Sequence, residues 1–311
     1  MNAAADAPAH ALAAPRGAPP KALDPIWLGQ QYDNRRRHPD HVDVFARWQQ
    51  ASELVRERMS PRVGVPYGPG ASETLDIYPL PRREDGSAPA PAPAPILVFI
   101  HGGYWRSLSA ALHAFIAPSF VADGAVVVVP DYDKCPAVPV EHIALQLTRA
   151  LAWVWQHAAE FGGDPSRIAL AGHSAGGHLA TMLLSCRWKD VDPALPPHLV
   201  NGALSIAGLY DLEPLRHAPF IQQDLALTPA AVRRLSPAFF PRPRRPLYVV
   251  AGGDESEEFL RQNQLIRAQW GPTAVPVCET VSGANHFTVL HGLADPAGRL
   301  HDLALRLLGL R

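Results

Sequence analysis

An α/β architecture, with a mostly parallel sheet and helices on both faces, is what this sequence predicts. Short, wholly apolar runs recur along it, and helix-length amphipathic segments separate them. Glycine-rich turns follow two of the runs, where strands would hand over to helices. A run with no polar alternation is the mark of a strand covered on both sides, as central parallel strands are.

Taken in order, residues 1–20 are rich in Ala and Pro, a composition that favours disorder. A disordered tail is therefore expected over 1–24 and a single folded domain over 25–311. Asp40 to Met59 reads as an amphipathic helix, with Val44, Phe45, Trp48, Ala51, Leu54 and Val55 at helical spacing and Pro61 beyond its end. Thr74 to Tyr78 alternates like a strand. The Ala-Pro repeat over 88–95 lacks the N–H groups a sheet needs, so it is expected to form a stiff, solvated hairpin connection outside the sheet. Strands are then expected at Ile96–Ile100, Val126–Val129, Arg167–Ala171, Ala203–Ile206, Leu247–Ala251 and Val277–Val281. Helices are expected over 140–161, closed by Gly162-Gly163, and over 178–186, 257–270 and 295–308.

The bulk numbers exclude some functions. The 311 residues carry 28 Lys and Arg against 29 Asp and Glu, a formal net charge of −1. A chain this close to neutral lacks the basic field a polyanion requires, so nucleic acid is not an expected partner. The run Arg35-Arg36-Arg37-His38 is read as a solvated surface stretch. Its 3 cysteines, Cys135, Cys186 and Cys278, fit no zinc spacing and suit reduced, unpaired thiols. The N-terminus has no basic segment followed by an apolar one, and no stretch approaches the ~20 apolar residues of a membrane span. A cytoplasmic protein without a membrane partner is the expectation.

In open parallel sheets the reactive groups gather at the carboxyl ends of the strands. The strand ending near Ala171 runs into Gly172-His173-Ser174-Ala175-Gly176-Gly177, a G-x-S-x-G turn between strand and helix. Such a turn lifts the serine hydroxyl clear of the sheet, and its glycines let neighbouring backbone approach closely. A glycine-rich turn with an ordinary capping serine is the competing reading of this motif alone. The first central strand ends in His101-Gly102-Gly103-Tyr104-Trp105. There the backbone amides of Gly102 and Gly103, with that of Ala175, are candidate donors to a developing oxyanion.

Asp254 follows the strand at 247–251, and His286 follows the last strand. The chain order is thus Ser174, Asp254, His286, with spacings of 80 and 32 positions. A serine hydroxyl is a weak nucleophile until a base takes its proton, and the imidazole base needs an acceptor to fix its tautomer. Ser174 is therefore the candidate nucleophile, His286 the base and Asp254 the orienting acid. Glu255, adjacent to Asp254, is the alternative acid. Of the 14 histidines, His101, His173 and His178 are expected to be structural, and His291 is a weaker alternative base. Asp131 falls too early in the order, and Asp211 reads as a turn or cap residue.

With these residues assigned, the sequence resembles the kynurenine formamidase (arylformamidase) branch of the α/β-hydrolases, close to the hormone-sensitive-lipase-like esterases. His101-Gly102-Gly103-Tyr104-Trp105 and Gly172 to His178 carry the resemblance. So do Tyr210-Asp211-Leu212-Glu213-Pro214-Leu215, Leu235-Ser236-Pro237, Asp254 to Phe259 with Arg261-Gln262, and Asn285-His286-Phe287. It extends over roughly residues 25–311. The resemblance implies the α/β-hydrolase fold, a triad of Ser174, Asp254 and His286, oxyanion donors at Gly102, Gly103 and Ala175, and neither metal nor cofactor. It implies a small-molecule aromatic formamide such as N-formylkynurenine as substrate, with a short acyl or aryl ester as the alternative. Tyr104 and Trp105 are expected either to line the substrate pocket or simply to pack their loop. Asp131-Tyr132-Asp133-Lys134 departs from the Asp-Tyr-Arg form of neighbouring esterases, and the Ala/Pro segments are not features of the branch. A homodimer is an assembly the sequence allows.

Overall fold

The computed structural model describes residues 23–81 and 93–311. The described residues form eight strands: β1 (Arg62–Pro66), β2 (Thr74–Tyr78), β3 (Ala94–Ile100), β4 (Val126–Pro130), β5 (Gly163–His173), β6 (Ala203–Ile206), β7 (Leu247–Gly252) and β8 (Val277–Val281). They form one sheet in the order β1-β2-β4-β3-β5-β6-β7-β8. Strands β4 through β8 run parallel to one another with β3, and only the β1–β2 and β2–β4 pairings are antiparallel.

The wholly apolar runs serve two cores at once, because successive residues of a strand point to opposite faces. Ile96, Val98, Ile100, Val126, Val128, Ile168 and Leu170 join the first core. Leu97, Phe99, Val127, Val129, Ala169 and Ala171 join the second. Each such Val, Leu, Ile or Phe side chain, almost fully buried, stabilises the fold by roughly 2 kcal/mol relative to an exposed one, and each alanine by less.

Helices cover both faces. On the first lie α1 (Pro25–Tyr32), with the short α2 (Asn34–Arg37) after it. The second face carries α3 (His41–Met59) and α4 (Ala117–Ala122), through Val44, Trp48, Ala117 and Phe120. Back on the first face lie α5 (Val140–His157) and α6 (Ala175–Leu184), with the helix Glu257–Ala274. The terminal helix Arg299–Leu308 closes the second face through Leu300, Leu303 and Leu307. The chain leaves the helical region after α5 at Gly162, whose φ of 78° suits a residue without Cβ.

The expectation for the Ala-Pro repeat falls partly outside the described residues, since 82–92 lie there, and its far end is corrected by the structure. Ala94 and Pro95 are the first residues of β3. The Ala94 N–H donates to the Gly162 carbonyl at 2.9 Å, and the register with β5 shifts between Ala94 and Ile96. Proline, with no N–H to offer, is accommodated at that irregularity. Nor is the connection a hairpin, because β2 pairs with β1 and β4 while β3 lies beyond β4. The expected tail falls on residues 1–22, outside the described residues, except for Leu23 and Asp24. Asp24 caps α1, its carboxylate accepting from the Ile26 N–H at 2.8 Å and the Trp27 N–H at 3.2 Å.

Candidate active site

Ser174 stands between the end of β5 and the first turn of α6, with φ 57° and ψ −119°. That conformation is costly for a residue with a Cβ and persists only where its surroundings impose it. The surroundings are backbone. A Cβ on Gly172 would collide with the Gly176 carbonyl, and one on Gly176 with the Ile100 carbonyl. Ser174 makes no side-chain cap hydrogen bond to its helix, so its hydroxyl is left to other partners.

The partner is His286. Its Nε2 lies 3.0 Å from Ser174 Oγ, and its Nδ1 lies 2.9 Å from Glu255 Oε1. All three residues are buried, with Ser174 and His286 each 2% exposed and Glu255 6%. The expected neighbour Asp254 does not reach His286. It is exposed, and what ties it into the fold is its backbone N–H, 3.0 Å from the Ala284 carbonyl. The correction has a local cause. The turn after β7 points the side chain of Asp254 to solvent and brings that of the next residue inward.

The loop after β3 is strained as well. Gly103, Tyr104 and Trp105 all have positive φ, at 106°, 52° and 55°. The Gly103 carbonyl accepts from the Arg106 and Ser107 N–H groups at 3.1 and 3.0 Å, and the Trp105 carbonyl accepts from the Cys135 N–H at 2.8 Å. A Cβ on Gly102 would lie 3.1 Å from Ser174 Cβ, so this backbone passes directly beside the serine. Among the described residues, the N–H groups of Gly102, Gly103 and Ala175 enter no hydrogen bond.

His101 braces the loop from behind. Its ring stacks on Tyr132 at 4.4 Å, and its Nε2 lies 3.3 Å from Asp131 Oδ1. Lys134 Nζ donates to the same oxygen at 2.7 Å. Burial works against ionisation of Asp131, but His101 and Lys134 outweigh it and hold the carboxyl well below the usual range. His173 Nε2 lies 2.8 Å from the His286 carbonyl, which fixes the backbone that carries the His286 imidazole. Burial, reinforced by the facing His286 ring, pushes its pKa well below the ordinary value. His178 holds the Leu235 carbonyl at 2.7 Å, and burial lowers its pKa to about 4. His291 accepts from the Trp48 indole at 3.3 Å and stands apart from Ser174.

The cavity over Ser174 is lined by Tyr104 and Gly103 from the loop after β3, by Phe45, Trp48, Phe220 and Phe287, and by Asn34, Arg35 and Arg106. Of the two aromatic residues that could either line the pocket or pack the loop, Tyr104 is a lining residue and Trp105 is not. Trp105 is fully buried and packs edge-on against His178 at 5.0 Å, so its indole supports the loop from inside. The roof comes from a segment the sequence did not single out. Tyr104 donates to the Tyr32 carbonyl at 2.5 Å, and Tyr32 donates to Glu258 at 2.7 Å. Glu258 is held in turn by Arg261 at 2.8 Å. This chain of bonds ties α1 to the loop after β3 and to the helix that follows Glu255.

Residues 97–261 match a family model described as alpha/beta hydrolase fold. The chain belongs to this α/β-hydrolase family. It is 31% identical to the kynurenine formamidase of Danio rerio over 267 residues, 83% of this chain and 85% of the relative. It is 36% identical to the esterase LipQ of Mycobacterium tuberculosis over 157 residues, 48% of this chain and 35% of that one. A solved structure of a putative thioesterase from Silicibacter superposes with a TM-score of 0.75 at 26% identity, covering 91% of this chain and 98% of the other. The carboxylesterase EstE1, from a metagenomic library, superposes with a TM-score of 0.66 at 21% identity and shares the fold.

In this hydrolase no group of three or more His, Cys, Asp or Glu side chains among the described residues is placed to hold a metal ion. Its three cysteines are free. No helix among the described residues is long and apolar enough to cross a membrane. The sequence offered one signal toward the residue at His286, since Glu255 directly follows Asp254. It offered none for Asn34 or Phe220, which reach the cavity from the N-terminal roof and from the segment between β6 and β7.

Proposed function

We propose that this hydrolase cleaves the N-formyl amide of an aromatic amine such as N-formylkynurenine, with Ser174 as nucleophile, His286 as base and Glu255 as the acid that orients it. The observation that carries the reading is the continuous relay from Ser174 Oγ to His286 Nε2 at 3.0 Å and from His286 Nδ1 to Glu255 at 2.9 Å. Ser174 Oγ attacks the formyl carbon while His286 takes the hydroxyl proton. Glu255 accepts the Nδ1 proton in a hydrogen bond, which leaves Nε2 unprotonated and ready. The oxyanion meets the unengaged amides of Gly102, Gly103 and Ala175, each typically worth ~100- to 1000-fold in rate.

Collapse of the adduct breaks the C–N bond, and His286 returns the proton to the leaving amine nitrogen. Water then attacks the formyl ester of Ser174 with His286 again as base, releasing formate and restoring the hydroxyl. Two things support the formamide over other acyl groups. The kynurenine formamidase relative aligns over most of both chains, whereas the LipQ match spans about half of this one. The cavity is also walled by aromatic rings suited to an aryl leaving group. The LipQ match does favour a second reading, hydrolysis of short acyl or aryl esters by the same machinery. Steady-state hydrolysis of N-formylkynurenine against p-nitrophenyl acetate tests the choice. A higher kcat/KM on the formamide supports the first reading, and ester cleavage without deformylation replaces it with the second.

A further inference from the structure

The cavity above Ser174 has a polar side that the hydrolytic chemistry does not use. Asn34 is 2% exposed, and both its Nδ2 and its Oδ1 are sealed from solvent without a hydrogen-bond partner. Leaving an amide in that condition is costly, and buried polar groups are otherwise nearly always paired. Arg35 lines the same cavity beside it, together with Arg106, and no carboxylate is among the lining residues.

The two cations are not equivalent. Arg106 is ion-paired with Asp224 and also donates to the Phe220 carbonyl. Arg35 donates to Ser107 Oγ at 3.2 Å and lies 5.7 Å from the Phe45 ring, and among the described residues it makes no ion pair. An exposed guanidinium without an ion pair and a buried, unsatisfied amide therefore belong to the lining of one cavity, together with Phe45, Trp48, Phe220 and Phe287.

We propose that Asn34 and Arg35 form the specificity subsite of this hydrolase, taking a carboxylate carried by the leaving group of the substrate. The aryl ring packs among Phe45, Phe220 and Phe287, the carboxylate accepts from the Arg35 guanidinium and the Asn34 Nδ2 group, and the scissile carbonyl reaches Ser174. A charge-assisted pair of this kind is among the stronger polar contacts a ligand makes. It also explains the unpaired amide, since a site built to hydrogen-bond its substrate leaves its own polar groups unsatisfied without it. The proposal rests on Ser174 being the nucleophile, but not on the acyl group being formyl.

The test compares anionic and neutral substrates of both acyl classes: 2- and 3-formamidobenzoate against formanilide, and acetylsalicylate against phenyl acetate. The quantity read is the ratio of kcat/KM, anionic to neutral, in wild type, Arg35→Gln, Arg35→Lys and Asn34→Asp. The wild type is expected to favour the anionic member of whichever series it cleaves. Arg35→Gln is expected to lower that ratio about tenfold or more, mainly through KM, with partial rescue by Arg35→Lys. Asn34→Asp should lower it further, because it sets a carboxylate against a carboxylate. Thermal melting of Asn34→Leu separates this role from a structural one. Loss of an unpaired amide should leave Tm unchanged or raised, and a marked fall would assign Asn34 to stability instead. Cleavage of esters alone, with the anionic preference intact, would remove the formamidase reading and keep the subsite. Ratios near one in the wild type, or ratios unchanged by Arg35→Gln and Asn34→Asp, would overturn the subsite.

Discussion

Glu255 Oε1 lies 2.9 Å from His286 Nδ1, while Asp254, one residue earlier, faces solvent. The two adjacent acids therefore have opposite expected phenotypes. Glu255→Gln keeps the shape but removes the charge that favours the working tautomer, and kcat is expected to fall by roughly 10³- to 10⁴-fold. Asp254→Asn should stay within about twofold of wild type, since no side-chain contact with His286 is lost. Steady-state kinetics of the two variants checks the assignment, and the reverse pattern would return the role to Asp254.

The oxyanion loop offers a second prediction. A methyl group at Gly102 would stand 2.7 Å from the His173 carbonyl and 3.1 Å from Ser174 Cβ. Gly102→Ala must therefore shift the loop relative to the serine, and kcat should drop by about 100-fold or more while the protein stays folded. A variant with wild-type kcat would show that this backbone does not approach the reacting carbonyl.

The tie between the roof and the oxyanion loop should be visible in stability. Tyr104→Phe removes the hydroxyl that donates to the Tyr32 carbonyl at 2.5 Å and leaves that acceptor unpaired. A cost of about 1–3 kcal/mol is expected, which for a chain of this size lowers Tm by several degrees. Calorimetry of the purified variant reads it directly.

Stability should also fall in mild acid, for a reason the buried histidines supply. Burial lowers the pKa of His178 to about 4 and that of His113 to about 3, and burial together with His286 depresses His173 well below its ordinary value. Each is lowered relative to the unfolded chain, where histidine titrates near 6.5. Below that pH the unfolded state binds more protons than the native one, so stability is full above about 6.5 and is lost as pH falls toward the folded values. Each histidine contributes up to about 1.4 kcal/mol per pH unit across its window. Denaturant unfolding from pH 7 to pH 4 should show that slope, and His178→Asn should make it shallower whatever its effect at pH 7.

Much of the fold was legible because its strands announce themselves. A run such as Val126-Val127-Val128-Val129 has no polar face to offer solvent, and it lies as expected between two cores. The elbow was legible because steric demands at Gly172 and Gly176 leave few alternatives to glycine. The choice between Asp254 and Glu255 was not, since it depends on how a three-residue turn is phased after β7, which apolar periodicity does not report. Strand β1 was missed because Arg62–Pro66 is largely exposed and carries no alternation. The roof was missed for another reason. Arg35 is exposed, as its basic run suggests, and only tertiary packing makes it and Asn34 part of the lining of the cavity that contains Ser174.

In the proposed reaction Ser174 itself carries the acyl group. The direct measurement is an acid-quenched single turnover of N-formylkynurenine followed by peptide mass mapping, with Ser174→Ala alongside. One formyl group is expected on the peptide that contains Ser174, lost on ageing with release of formate, with neither adduct nor turnover in the variant. Deformylation by Ser174→Ala at a rate near wild type would contradict the proposed reaction.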